Sequence, residues 1–128
     1  MKALGPSAVM TDQVLYNLGV RGIEFDLLPY CAAQRIPVMA YSPVGQGGAI
    51  LRNKALLDVA ARHDATPAQI AIAWTLRLPG VISIPKAGDP AHVAANAAAA
   101  KITLTAADLA TLDAAFPPPR RAQRLEML

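Results

Sequence analysis

The sequence has very few residues that bind metals or form cross-links. Its 128 residues include a single cysteine, Cys31, and two histidines. One cysteine cannot form a disulfide within the chain and cannot supply a Cys-x-x-Cys metal or redox motif. Two histidines are a poor supply for a dedicated zinc centre. We therefore exclude a disulfide-stapled domain and predict no metal site.

Charge and long apolar runs are also scarce. Charged residues make up 16% of the chain, the net charge is +3, and aromatic residues account for only 5%. No basic run is interleaved with aromatics, so we expect no nucleic-acid partner. The longest uncharged run, residues 36–51, contains two prolines and three glycines, which makes it unsuited to crossing a membrane. Residues 1–6 lack the apolar core of a signal peptide, so we predict a cytoplasmic protein without a membrane partner.

What the chain does contain is enough apolar material for one core. Hydrophobic residues make up 54% of it, and 27 of them are alanine. Three short β-prone runs, 13–18, 36–41 and 81–85, alternate with segments of helical periodicity. Apolar runs without alternation are typical of strands buried on both faces. The order β-α-β-α-α-β-α-α predicts an α/β fold in which helical crossovers connect parallel strands.

Local signals mark where the helices start. Asp26 precedes one helical segment as a candidate cap, and Thr66 with Gln69 has the pattern of a capping box. Asp89 stands before a proline at the start of an alanine-rich helix, and Thr105 begins the last helix.

Three residue types that often belong to functional sites have structural interpretations here. Trp74 falls at helical spacing among apolar residues and is predicted to be core. Cys31 lies on an apolar helical stripe and is predicted to be a buried small hydrophobe. His63 falls at a helix C-terminus, where a cation is mildly favoured, and needs no further role.

Ligands of parallel α/β sheets bind beyond the carboxyl ends of the strands. The polar residues near those ends are Gln13 with Asn17, Tyr41 with Ser42, and Lys86. From the residues alone, two interpretations stay open for each. Tyr41 suits either a ligand or the edge of the core, Lys86 either a phosphate or solvent, and Gln13 either a ligand or its own loop.

Six segments, in order, carry a family resemblance: DQVLYN, RGIEFDLLPYC, IPVMAYSPVGQGG, TPAQIAIAW, VISIPKAGDPAHVAANAAA and LTAADLATLDAAF. Together they resemble the carboxyl-terminal half of the aldo/keto reductase family, closest to bacterial members that reduce small aldehydes such as methylglyoxal. The resemblance covers residues 12–116, between a poorly defined segment 1–11 and a tail 117–128. It implies a partial (β/α)₈ TIM barrel, a half-barrel of the last three βα units.

The resemblance also implies how one end of a nicotinamide cofactor is bound. Gln13 matches the glutamine that hydrogen-bonds the carboxamide, as an amide that both donates and accepts can do. Tyr41 matches the tyrosine that stacks on the nicotinamide ring. Ser42, Val44 and Gln46 match the loop that wraps the pyrophosphate.

Four further residues match the adenosine end of the cofactor site. Lys86 matches the lysine that pairs with the 2′-phosphate of NADP, and Ala87 replaces a common serine beside it. Asn96 matches the asparagine that holds the adenine. His92 stands where arginine is common, and a neutral imidazole makes no bidentate phosphate contact. Lys86 nevertheless favours NADPH over NADH as the cofactor.

The family's catalytic Asp, Tyr, Lys and His belong to the first half of the barrel, so the resemblance assigns no catalytic residue to this chain. A small carbonyl substrate is then expected only in a full-length barrel. The alternative is a non-catalytic half-barrel module that self-associates or binds a partner through its open edges. A different βα-barrel enzyme is not supported, because the strand ends carry no carboxylate pair, Ser-His-Asp set or metal cluster.

The resemblance makes a direct prediction about turnover. We expect the purified chain to reduce no carbonyl compound, because the proton donor that must accompany hydride transfer is not among its matched residues. The loss of NADPH absorbance in the presence of methylglyoxal measures this. Consumption of NADPH above the rate without methylglyoxal would contradict the prediction.

Overall fold

A computed structural model of the chain describes residues 9–46 and 48–128. Residues 1–8 of the predicted N-terminal segment, and Gly47 in the predicted loop after the second strand, lie outside this described part. Within it, the strands and α-helices are β1 (Asp12–Leu15), α1 (Leu27–Gln34), β2 (Val38–Tyr41), α2 (Lys54–Arg62), α3 (Pro67–Leu76), β3 (Val81–Ile84), α4 (Pro90–Ala98) and α5 (Ala106–Ala115).

The three strands form one parallel sheet in the order β1-β2-β3. Leu15 pairs in register with Tyr41, and Tyr41 with Ile84, so the last residues of the strands stand side by side. Helix α1 connects β1 to β2, and helices α2 and α3 connect β2 to β3, as parallel pairing requires. The predicted element order and the α/β class are confirmed.

The two faces of the sheet have different surroundings. Val14, Val38 and Ala40 are at most 3% exposed and belong to the core formed with the helices. Side chains alternate along a strand, so Gln13 and Ile82 project from the opposite face. Gln13 is exposed there and Ile82 is 46% exposed. In the described part of the chain, helices cover one face of the sheet and leave the other partly open.

The first strand is shorter than the apolar run 13–18 predicts, because the side chain of Asn17 turns the chain. Its Oδ1 accepts the backbone N–H groups of Gly19 at 2.9 Å and Val20 at 3.0 Å. The backbones of Asn17 and Val20 also form an isolated antiparallel bridge. A short amide side chain that bonds nearby backbone competes in this way with the sheet ladder.

The helix-start signals are confirmed. The Thr66 hydroxyl accepts the N–H of Gln69 at 3.2 Å, and Gln69 Oε1 accepts the N–H of Thr66 at 3.0 Å. Thr105 and Asp108 form a second capping box before α5. The Asp89 carboxylate caps α4 by accepting the backbone N–H two residues further on.

The core predictions for Trp74 and Cys31 are also confirmed. The guanidinium groups of two arginines lie over the Trp74 ring. The guanidinium carbon of Arg77 lies 3.8 Å from the ring centroid, and that of Arg21 lies 5.0 Å away. Glu24 Oε1 accepts from Arg77 Nη2 at 2.8 Å, while Oε2 accepts from Arg21 Nη2 at 2.8 Å. Cys31 is 2% exposed and Trp74 is fully buried.

Arg21 extends this cluster to the last helix. Its Nη1 donates to Asp113 Oδ1 at 2.7 Å and to the backbone carbonyl of Phe116. Tyr16 also belongs to this cluster, because its hydroxyl donates to Glu24 Oε1 at 2.7 Å. The cluster therefore joins the segment after β1 to both α3 and α5.

His63 has a partner that its position in the sequence does not reveal. Its Nε2 lies 2.6 Å from Asp108 Oδ2, and Arg62 Nη1 donates to Asp108 Oδ1 at 3.0 Å. Burial by itself would raise the pKa of Asp108, but hydrogen bonds from His63, Thr105 and Arg62 hold that pKa well below its ordinary value. The predicted position of His63 at a helix C-terminus is confirmed, and its contact with Asp108 also joins the end of α2 to α5.

Replacing Glu24 tests the arginine cluster. Burial would raise its pKa, but hydrogen bonds from Arg21, Tyr16 and Arg77 lower it below the ordinary 4.5. We expect Glu24→Gln to lower the free energy of unfolding at pH 7 by about 3 kcal/mol, since Arg77 loses its carboxylate partner and Arg21 loses one of its two. A carboxylate with a lowered pKa stabilises the fold above its ordinary pKa and loses that effect as the pH falls through the folded value. The deficit of the variant should therefore shrink in acid.

Urea unfolding followed by Trp74 fluorescence at pH 7 and pH 3 measures both effects. The matched control is Asp58→Asn, which breaks a 2.8 Å ion pair with Lys54 whose side chains are 50% and 87% exposed. An exposed pair of this kind is worth about 0.5 kcal/mol. Equal losses in the two variants would show that the buried cluster does not hold the fold together.

Candidate cofactor-binding site

Tyr41, Ser42 and Lys86 lie at the same edge of the sheet. Tyr41 ends β2 in register with the last residues of β1 and β3, and Ser42 follows it directly. Lys86 lies two residues beyond the end of β3. Tyr41 and Ser42 are half-buried and Lys86 is exposed, so a ligand has access to all three from the strand ends.

Asn17 holds the backbone at the start of the loop after β2. Its Nδ2 donates to the carbonyl oxygen of Ser42 at 3.0 Å, and the N–H of Gly45 donates to the same oxygen at 2.9 Å. Ser42 has φ 49°, a left-handed conformation that costs a non-glycine residue free energy. Asn17 is 2% exposed, so it supports this loop and does not face a ligand, contrary to one sequence interpretation. The glycine two residues after it was the available signal of such a turn.

Gln13 projects from the same face of the sheet as Tyr41. It pairs in register with Met39, two residues before Tyr41, and side chains two apart along a strand share a face. Gln13 is exposed, whereas Leu15 beyond it on the same face is 4% exposed. The two predicted nicotinamide contacts therefore lie on one face, with Gln13 set back from the strand ends.

The rest of the loop after β2 is shaped by Gly45. Its φ is 72°, and an added Cβ would lie 2.7 Å from Ile50 Cδ1. Val44 is half-buried and packs against the core, while Gln46 is exposed. The loop is thus anchored by the buried Pro43 and the half-buried Val44, and its polar residues lie near the strand ends.

The predicted adenosine contacts lie on α4 and on the loop before it. His92 and Asn96 are four residues apart on the helix and so share a face. His92 is exposed and Asn96 is half-buried. Ala87, in the preceding loop, is half-buried.

A cleft of about 370 Å³ opens between α3, β3 and α4. Ala87 and Asn96 both line it, together with Ser83 and several apolar side chains, whereas His92 does not. Ser83 Oγ is buried and has no hydrogen-bond partner among the described residues. A mostly apolar cleft with a hydroxyl and an amide has the composition of a small-molecule site.

The described residues contain neither a metal-binding cluster nor a membrane-spanning helix. Residues 9–46 and 48–128 contain no group of three or more His, Cys, Asp or Glu side chains arranged to hold a metal ion. No helix in that part of the chain combines the length and the apolar character needed to span a bilayer.

The chain belongs to the aldo/keto reductase family, whose model matches residues 1–116. It is 45% identical to methylglyoxal reductase YeaE of Escherichia coli (strain K12), in an alignment that covers 97% of this chain and 45% of that protein. Pyridoxine 4-dehydrogenase of the same organism is 37% identical over 77% of this chain and 34% of its own length.

Solved structures agree with these relatives. The crystal structure of an aldo-keto reductase from Klebsiella pneumoniae in complex with NADPH superposes with a TM-score of 0.89 at 46% identity. That match covers 92% of this chain and 43% of the neighbour. The chain thus spans less than half the length of these relatives, and its fold is the corresponding part of their barrel.

Gly45 offers a test of the loop geometry. We expect Gly45→Ala to lower the free energy of unfolding by about 1 kcal/mol, because φ 72° strains any residue with a Cβ. Thermal unfolding followed by circular dichroism measures the loss. Gly88→Ala is the matched control, since a Cβ there meets nothing within 4 Å and the φ is not positive. An equally large loss of stability in Gly88→Ala would contradict the requirement for glycine at the positive φ of Gly45.

Proposed function

We propose that this chain forms the NADP(H)-binding part of an aldo/keto reductase that reduces small aldehydes or ketones to alcohols, with methylglyoxal as a representative substrate. The observation that carries the proposal is the register of the three parallel strands at Leu15, Tyr41 and Ile84. It gathers the loops after β2 and β3 at one edge, where parallel sheets bind their ligands.

In this proposal, the nicotinamide lies on Tyr41, whose flat ring orients it, and Gln13 hydrogen-bonds its carboxamide. The loop of Ser42, Val44 and Gln46 wraps the pyrophosphate. Its geometry is supported by the hydrogen bond from Asn17 that holds the Ser42 carbonyl. An anchored loop is suited to binding because little ordering remains when the ligand arrives.

At the other end of the cofactor, Lys86 pairs with the 2′-phosphate, beside Ala87 and His92. Asn96 holds the adenine, and its place in a cleft with the unpartnered hydroxyl of Ser83 supports a ligand with polar edges there. Two of the comparisons favour the same cofactor: the Klebsiella pneumoniae reductase structures contain NADPH in one case and NADP in the other.

The bound cofactor supplies the hydride for carbonyl reduction. The residues of this chain bind and orient it, and the proposal assigns none of the nine contacts to protonating the carbonyl oxygen. It assigns the proton donor to the rest of a complete reductase. Binding and reduction are separate properties in this view, and the chain has the first without the second.

Lys86 provides the test of the cofactor site. We expect Lys86→Met to weaken NADPH binding about tenfold or more, because a charge-assisted contact to phosphate is lost, and to leave NADH binding unchanged. Titrations of the complete 128-residue chain followed by NADPH and NADH fluorescence measure the two affinities. The control is Lys101→Met, an exposed lysine after α4. Equal weakening of both cofactors, or absence of binding by the unaltered chain, would contradict the site.

A non-catalytic module that self-associates is the second candidate. It is favoured by the partly open face of the sheet, where Ile82 is 46% exposed, and by the position of β1 and β3 at the edges of the described sheet. Unpaired edges and apolar faces promote association. Sedimentation velocity distinguishes the candidates: a discrete oligomer without NADPH affinity supports the module.

A further inference from the structure

Gln69 uses both ends of its side-chain amide. Its Oε1 accepts the backbone N–H of Thr66 at 3.0 Å and completes the capping box of α3. Its Nε2 donates to the backbone carbonyl of Ala95, in the middle of α4, at 3.0 Å. One half-buried side chain therefore joins the start of α3 to a helix that lies 26 residues further along the chain.

Helix α4 has few other attachments. It is nine residues long, and none of its residues is buried. A helix of this length is marginal without tertiary contacts. Among the described residues, apart from the cap supplied by the adjoining Asp89, the bond from Gln69 is the only side-chain hydrogen bond between α4 and another part of the chain. Ala99, just beyond the helix, is fully buried and fixes its carboxyl end.

The residues around Ala95 are those of the proposed adenosine subsite. Asn96 follows it directly, and His92 lies one turn earlier on α4. A displacement of the helix relative to α3 moves these side chains together. It also alters the cleft that Asn96 lines with Ile72 and Leu76 of α3.

We propose that Gln69 is a positioning residue: its hydrogen bond to the Ala95 carbonyl holds α4, and with it His92 and Asn96, in place against α3. The ligand in this inference rests on the proposed function, whereas the contact itself does not. Gln69 does not touch the nucleotide in this view. It sets where the residues that do so are found.

The two hydrogen bonds of the Gln69 side chain can be tested separately by substitution. Gln69→Glu keeps an oxygen for the Thr66 N–H, so the capping box is retained, but a carboxylate cannot donate to the Ala95 carbonyl. Thr66→Ala is the matched control, because it removes the hydroxyl of the capping box and leaves the Nε2 of Gln69 unchanged. If Gln69 only capped α3, Thr66→Ala would weaken the protein more than Gln69→Glu does.

Two measurements on the complete chain follow the two variants. Hydrogen exchange read by NMR reports the backbone amides of α3 and α4 separately. Calorimetry with adenosine 2′,5′-bisphosphate reports affinity for the adenosine end alone. We expect Gln69→Glu to speed exchange in α4 and to raise the dissociation constant of this probe by about three- to tenfold, the effect of one neutral hydrogen bond. Amides of α3 should keep their protection.

Thr66→Ala should instead speed exchange in the first turn of α3 and leave both α4 and the probe's dissociation constant at the level of the unaltered chain. Unchanged exchange of α4 in Gln69→Glu would overturn the inference, as would an equal loss of affinity in the two variants. Failure of the unaltered chain to bind the probe would refute the proposed function instead. In that case, hydrogen exchange of the α4 amides alone tests the positioning role of Gln69.

Discussion

The packing of this chain depends on the contact of the Trp74 ring with two arginines, the buried Arg21 and the half-buried Arg77. Arg77 follows directly after the helix that carries Trp74, and Arg21 comes from the segment after β1, so the ring contacts guanidinium groups from two separate parts of the chain. Two guanidinium groups next to an indole are tolerable in a core because Glu24 accepts hydrogen bonds from both. The pair of arginines thereby joins α3 to the segment after the first strand, and Arg21 also joins that segment to α5.

Two amide side chains hold the loop and the helix that carry the candidate site. Asn17, just past β1, holds the carbonyl of Ser42 and so the loop after β2. Gln69, at the start of α3, holds the carbonyl of Ala95 and so the helix after β3. Each amide also satisfies a local turn or cap, and an amide suits both tasks because it donates and accepts at once. The two halves of the site are thus located by residues that do not themselves line it.

The sequence predicted those features whose cause is local. The Thr66–Gln69 capping box lies within four residues, and the strands were recognisable as short apolar runs, so the parallel sheet and its strand-end edge followed from the pattern. Pairings between distant residues were not predictable in this way. Arg21 and Asp113 are 92 positions apart, and His63 and Asp108 are 45 apart, so their contact is set by how the helices pack. The end of β1 was misplaced because Asn17 bonds the backbone that follows it.

The proposed division of cofactor binding and carbonyl reduction between parts of a barrel is consistent with the chemistry of the strand-end edge. The side chains that the chain brings there are an aromatic ring, amides, a hydroxyl and a lysine, which suit a nucleotide with a flat ring and phosphates. Reduction also needs a proton donor within hydrogen-bond reach of the carbonyl oxygen. In the proposed arrangement, such a donor reaches the nicotinamide from the partly open face of the sheet, on which Gln13 is exposed. An open apolar face also promotes association, so the two functions proposed for the chain depend on the same face of its sheet.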